Sequence, residues 1–264
     1  MAMRKSINLL LVIFSLFCAS AFAQNAQKTA AYIEGENLTY EAKYNKAVLR
    51  GVAAADLNFA VERAPNNQDF LIKSEVRSKG MLVELFFKFF QSFQSTVDGE
   101  TFFIKRTVKR DEQGDRIRDS EALFDYKEKK VIYIETNPND LTRPPRQIAS
   151  PIEANTQDLI TGIYSIRQLP LAVGRTFQLN VSDSGLVYKV PLRVVAREQQ
   201  KSILGRVWCF RVEPDIFGAN RLIDQKGSMA IWITDDARRL PVRAQINANI
   251  GRLEVKLRKI ESRK

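Results

Sequence analysis

The chain contains no histidine among its 264 residues. That absence removes the commonest general base, the Ser–His and Cys–His nucleophile pairs, and most zinc sites. Cysteine is almost as scarce, with Cys18 and Cys209 alone. Cys18 lies in an apolar leader. Losing it would leave one thiol, which cannot close an internal disulfide, so an exported chain would depend on its core. Cys209 sits in the strand-like run Val207-Trp208-Cys209-Phe210 and reads as a small buried hydrophobe rather than a nucleophile. No P-loop, dinucleotide fingerprint or nucleophile elbow occurs. Asp235-Asp236 reads as a turn, and Glu34 and Glu36 as a solvated approach to the first strand. Asp111, Glu112 and Asp115 lack the spacing and closing glutamate of a calcium loop. Carboxylates distant in sequence can still converge in space. The positive signals for a reaction site are missing, so the expectation is a non-catalytic protein with no cofactor and no metal.

What is present points first to export. Arg4 and Lys5 precede an apolar run at Leu9–Phe17, and Ala21-Phe22-Ala23 supplies a small-x-small cleavage pattern before Gln24. The apolar run is shorter than the roughly 20 residues a spanning helix needs. Phe17 stands where a lipoprotein signal wants a small residue before Cys18. Residues 1–23 are therefore expected to be a cleaved signal peptide, 24–264 a single domain, and the mature protein periplasmic. The formal charge of +11 falls to +9 when Arg4 and Lys5 leave with the leader. Such a surface favours anionic partners such as lipid headgroups, although dispersed Lys and Arg also serve plain solubility. Nucleic acid is a poor partner for an exported chain.

Strand patterning dominates the rest. Leu38, Tyr40, Ala42 and Tyr44 alternate with polar neighbours, and every odd position from Leu49 to Val61 is apolar or glycine. Similar runs recur near 70–77, 101–109, 118–126, 130–136, 175–182, 186–197, 204–213, 227–234, 240–248 and 251–260. Asp183-Ser184-Gly185 reads as a hairpin turn. A proline-rich stretch at about 137–151 reads as an extended connection, free of regular ladders, between two halves. Two segments have helical periodicity. Residues 81–93 carry five phenylalanines within eight positions, with Leu82, Leu85, Phe86, Phe89, Phe90 and Phe93 on one side. The second follows Thr156 as a cap, through Leu159, Ile160, Ile163 and Ile166, to Pro170. Helices between most strands are absent, which excludes a parallel sheet. The expected fold is mainly β: a large curved antiparallel sheet or open half-barrel, with two main helices covering or plugging its concave side.

This order of elements resembles the bacterial family catalogued as domain of unknown function 3108. The resemblance runs through Leu38–Ala42, Ser95–Asp98, Ala122–Tyr126, Asp158–Leu171 and Val173–Phe177, and is most specific in Ile231–Arg243. It brings no catalytic residue with it. At fold level the pattern is also similar to the lipoprotein-localisation carriers (LolA- and LolB-like), which implies a curved sheet able to hold acyl chains.

The expected function is a periplasmic binding or carrier protein for a lipid or acylated envelope component, with an anionic membrane surface as a further partner and a monomer as the unit. A structural or protein-interaction module with a filled core is the alternative, and an envelope hydrolase a third reading. Leu82, Phe86, Phe89, Phe90, Phe93, Trp208 and Trp232 are the expected hydrophobic lining. For each, plain core packing is the competing role.

Overall fold

A computed structural model describes residues 34–46, 49–80, 88–249 and 251–262. The expected signal peptide and residues 81–87 of the expected first helix, Leu82 and Phe86 included, lie outside the described residues. The first eight strands are β1 (Glu36–Lys46), β2 (Leu49–Arg63), β3 (Asp69–Ser78), β4 (Phe89–Asp98), β5 (Ile104–Gln113), β6 (Arg116–Asp125), β7 (Lys130–Thr136) and β8 (Arg146–Pro151). After β9 (Thr156–Asp158) comes helix α1 (Leu159–Ile166). Six strands follow: β10 (Thr176–Asp183), β11 (Leu186–Ser202), β12 (Gly205–Pro214), β13 (Gly227–Thr234), β14 (Pro241–Ala248) and β15 (Gly251–Ser262).

All fifteen strands form one sheet in the order 8-7-6-5-4-3-2-1-15-14-13-12-11-10-9. The chain starts at the sheet's centre, steps outward to one edge, crosses to the other edge and steps back until β15 pairs with β1. Every ladder is antiparallel except β9 with β10. The sheet curls until its edges approach without closing. Ser150 Oγ on β8 donates to the Gly185 carbonyl of the β10–β11 hairpin at 2.6 Å. A Cβ on Gly185 would meet the Cβ atoms of Tyr133 and Ile148 at 2.8 Å, and its φ of 84° also suits glycine.

Period two sets the inner face. Leu38, Tyr40 and Ala42 of β1 stand opposite Phe59, Leu57 and Ala55 of β2, and opposite Ile260, Leu257 and Val255 of β15. The outer face carries charge, as where Glu41 accepts from Arg258 at 2.6 Å. Helix α1 lies inside this curve. Apolar contacts surround it, with Ile160 and Tyr164 packed among β2–β5 residues and Ile166 among Val190, Phe210 and Ile231. No helix among the described residues is long and apolar enough to cross a membrane.

Three expectations are corrected. The first is the phenylalanine helix: α1 is the one helix among the described residues, and Phe89, Phe90 and Phe93 belong to β4. In β4, Phe93, Ser95 and Val97 alternate inward with a β-favouring, aromatic and β-branched composition. A short apolar run fits both periods, and the ladders to β3 and β5 decide it. The second concerns the proline-rich stretch, whose last six residues do form a ladder, β8 against β7. Pro144 and Pro145 precede the strand and Pro151 ends it on the sheet's edge, where no inner ladder bond is lost. The third is the helix cap. Residues Thr156–Asp158 are strand β9, and Asp158 rather than Thr156 caps α1.

Candidate functional site

The inner face is not fully filled. A cavity of about 150 Å³ lies between α1 and strands β1, β2, β13, β14 and β15. From the helix, Ile163, Tyr164 and Arg167 line it. From the sheet come Leu57 and Phe59 on one side and Met229, Ala244, Ile246 and Val255 on the other. Leu57, Met229, Ala244, Ile246 and Val255 are only half-buried, so this wall is not sealed. Its surface is almost wholly apolar. An engineered apolar cavity of about this size stays dry and accepts benzene. The space therefore suits one ring or a short alkyl segment.

At one end, behind this apolar surface, lies a buried charge pair. Arg167 follows the last turn of α1 and is 1% exposed; Glu36 opens β1 and is 4% exposed. The guanidinium grips the carboxylate at both oxygens, at 2.6 and 3.0 Å, and donates to the Arg238 carbonyl at 3.0 Å. Such a fork satisfies both charges without water. Beside it, the Tyr40 hydroxyl donates to the Pro241 carbonyl at 2.9 Å. The Tyr164 ring centre stands 5.5 Å from the guanidinium carbon. The Tyr164 hydroxyl and Arg167 Nε are buried with no hydrogen-bond partner among the described residues. Burial pushes both phenols well above their ordinary pKa. For Tyr40 the neighbouring Tyr164 adds to the rise, for Tyr164 the Glu36 carboxylate does, and Arg167 opposes in both cases. Both phenols are thus neutral hydrogen-bonding groups at any physiological pH.

A second feature lies along the same strands. Asn45, Lys46, Arg50, Asn247 and Arg252 line an open polar hollow at the β1–β2 and β14–β15 hairpin ends. Asn247, paired in register with Arg252, directly follows the cavity residue Ile246. Among the described residues, none of Lys46, Arg50 and Arg252 pairs with a carboxylate, unlike Lys43, which meets Glu41 at 3.7 Å.

Of the expected lining residues, the five that are described do not line this cavity. Phe93 is buried among Ile72, Val97 and Phe124, with the Lys109 ammonium 5.0 Å from its ring centre. Phe89 packs against the Ala42, Ala54 and Ala55 cluster, while Phe90 faces the other way under the Arg77 guanidinium at 4.4 Å. Trp208 is 46% exposed and stacked by Arg197 at 4.5 Å. Trp232 alternates with Ile231 and Ile233, which pack with α1's Ile166, so it lies on the opposite face of β13, buried in a cluster with Cys209 and Leu240 and flanked by Arg211 and Arg243. Phe89 and Phe90 line an open hollow with Arg77 and Lys88, and Phe93 a small one beside Asp158. Glu36, expected in a solvated approach, is the buried partner of Arg167 instead. Its signal could not be local, because 131 positions separate the pair. Cys209 is buried, and burial, with Asp236 and Glu198 nearby, pushes its thiol up to about 12. Among the described residues no three His, Cys, Asp or Glu side chains gather as a metal group would require.

Fold and cavity together define a β-barrel-like protein: a curled, unclosed antiparallel sheet with an apolar hollow beside an inner helix. More particularly, the chain belongs to the family described as "Protein of unknown function (DUF3108)", which it matches over residues 39–258. Among solved structures it is similar to a beta-barrel-like protein of domain of unknown function DUF1849 from Brucella abortus. That likeness has a TM-score of 0.57 at 10% identity and covers 87% of this chain and 98% of the other. It is a likeness of fold. No curated protein matches the chain.

Proposed function

We propose that this is an exported, non-catalytic binding protein of the cell envelope that takes an apolar ligand, the acyl chain of a lipid or lipoprotein, beside α1. The observation that carries this reading is the apolar cavity lined by Ile163, Met229, Ala244 and Ile246. Burying about five methylenes at about 0.8 kcal/mol each contributes about 4 kcal/mol, the scale of a ~1 mM dissociation constant. Useful affinity therefore needs more chain along the half-buried wall of Leu57, Met229 and Val255. Export rests on the Arg4–Ala23 leader pattern and is checked by cell fractionation, with a cytoplasmic protein as the contrary result.

Filling the cavity tests the reading. Ala244→Phe places a ring in the hollow while β14 keeps its ladders to β13 and β15. A fluorescent alkyl probe is expected to bind the native protein and to lose about tenfold or more in affinity in the variant, with the unfolding midpoint held or raised. Equal binding by both proteins would remove the cavity from the function. A protein that purifies without lipid, binds no probe and co-purifies with one protein partner would point instead to an interaction module of the envelope.

Lys46, Arg50 and Arg252 supply the complement, a cationic rim for anionic headgroups. Replacing all three by Glu is expected to weaken binding to vesicles with 30% anionic lipid by at least about tenfold, since each near-surface cation contributes about 1 kcal/mol. Binding to neutral vesicles should not change. An equal loss on both vesicle types would count against an electrostatic rim.

A further inference from the structure

We propose that the β11–β12 hairpin is a membrane-docking arm that sets Ile203 and Trp208 into the headgroup boundary of an anionic bilayer. None of the arm's residues lines the cavity beside α1. β11 pairs with β10 only as far as Arg193, and β12 pairs with β13 only from Cys209 to Val212. Residues 199–202 and 205–208 therefore form a two-stranded ribbon that runs on past both neighbouring strands. Asp235 N ties it back, donating to the Trp208 carbonyl at 2.8 Å. The ribbon leaves at the Thr234 end of β13; the Gly227 end pairs with Ala248, next to the Asn247 and Arg252 hollow. One face of the ribbon is anchored, with Leu204 and Val207 packed on the cluster of Leu240, Val242 and Trp232. On the open face Gln199 opposes Trp208 and Lys201 opposes Arg206, and all four are exposed.

A two-stranded ribbon is marginal in water without a surface to cover it. This one exposes Trp208 at 46% and, at its tip, Ile203 at 47%. Turn geometry does not demand that apolar tip, since turns favour Gly, Asn, Asp and Ser. Gly205, with a φ of 84°, already supplies the positive φ that closes the hairpin. Like charges directly opposite each other destabilise a ladder. Yet among the described residues neither Lys201 nor Arg206 meets a carboxylate, unlike Arg197, which holds Asp235 at 2.7 Å. An anionic bilayer answers all three features. Tryptophan favours the headgroup level, isoleucine gains by leaving water at the acyl boundary, and phosphates offset the opposed cations. A second copy of the chain would bring the same cations to the contact and be repelled.

The test uses vesicles of phosphatidylcholine with about 30% phosphatidylglycerol, their acyl chains brominated near the headgroup. Trp208 and Trp232 are the only tryptophans, and Trp232 is 5% exposed, so quenching by bromine reports on Trp208. The native protein is expected to be quenched, and Trp208→Phe to lose that quenching. Ile203→Glu alters an exposed turn residue, so it should keep the unfolding midpoint and weaken vesicle binding about tenfold. Lys201→Glu with Arg206→Glu should weaken it by about the same factor. Vesicle binding that leaves Trp208 unquenched would overturn the proposal, as would binding that Ile203→Glu leaves unchanged. In either case a loss on replacing Lys46, Arg50 and Arg252 would assign the membrane contact to that rim alone. A native protein that ignores these vesicles but binds polyglutamate through Lys201 and Arg206 would overturn it in favour of an acidic protein partner.

Discussion

Glu36→Ala is expected to destabilise the protein by about 3–5 kcal/mol, the cost of breaking a buried ion pair by removing one partner. The loss is large because of what remains. Arg167 keeps its charge at 1% exposure, with one carbonyl, that of Arg238, as its remaining acceptor among the described residues. Around it stand Tyr40, Tyr164 and an apolar wall. Guanidinium chloride unfolding, read by tryptophan fluorescence, measures the change. Arg167→Met in the same background removes the orphaned charge and should recover most of the loss, because apolar replacement of a whole buried pair is often near neutral. Glu36→Ala within about 1 kcal/mol of the native protein would mean that water reaches the guanidinium, against its 1% exposure. The pair also joins distant parts of the chain. Glu36 starts β1 opposite Ser262 on β15, and Arg167 ends α1. The double variant should therefore fold yet bind alkyl probes differently from the native protein.

How far the sequence foretold this arrangement depends on the range of the interactions involved. The strands were legible wherever one face is buried, because alternation is a local signal; β1, β2 and β10–β15 lie within a few residues of their expected bounds. The Asp183-Ser184-Gly185 turn was legible for a backbone reason, and Ser184 and Gly185 take positive φ of 51° and 84°. Phe89–Phe93 misled because two periods fit one short aromatic run, and the deciding ladders reach to Arg77 and Gln113, outside any local window. Asp158 was masked as a cap by Thr156, whose hydroxyl instead accepts from Glu153 N at 3.0 Å and closes the preceding turn. The cavity was the least legible feature. Its walls come from α1 and five strands that are adjacent only after the last strand returns to the first. No pattern within one segment marks Tyr164 or Arg167 as more than the tail of an apolar helix.

Asp158 governs the position of that helix, and its removal is the other change expected to have a large effect. Its Oδ1 accepts from Ile160 N at 2.9 Å, Thr161 N at 2.7 Å and Thr161 Oγ1 at 2.9 Å. Thr161 Oγ1 in turn accepts from Asp158 N at 3.0 Å, which completes a capping box. Its Oδ2 accepts from Thr107 Oγ1 at 2.6 Å and from Ser95 Oγ. Among the described residues no cation touches the buried carboxylate, so hydroxyls, backbone N–H groups and the positive end of the helix balance its charge. Asp158→Ala loses a cap, about 0.5–2 kcal/mol. It also orphans two buried strand hydroxyls at about 1–3 kcal/mol each. Because these groups share one network the terms do not add, and a loss of about 3–4 kcal/mol is expected. Asp158→Asn keeps one acceptor and should cost less, since Ser95 and Thr107 can rotate to accept from the amide. Hydrogen exchange separates position from global stability. In Asp158→Asn the α1 amides should lose protection while the β12–β14 ladders keep theirs. With α1 loosened from β4 and β5, Ile163, Tyr164 and Arg167 no longer hold a fixed wall, so alkyl-probe affinity should fall although no cavity residue has changed. Uniform loss of protection across sheet and helix would show instead that Asp158 supports the whole fold rather than the placement of α1.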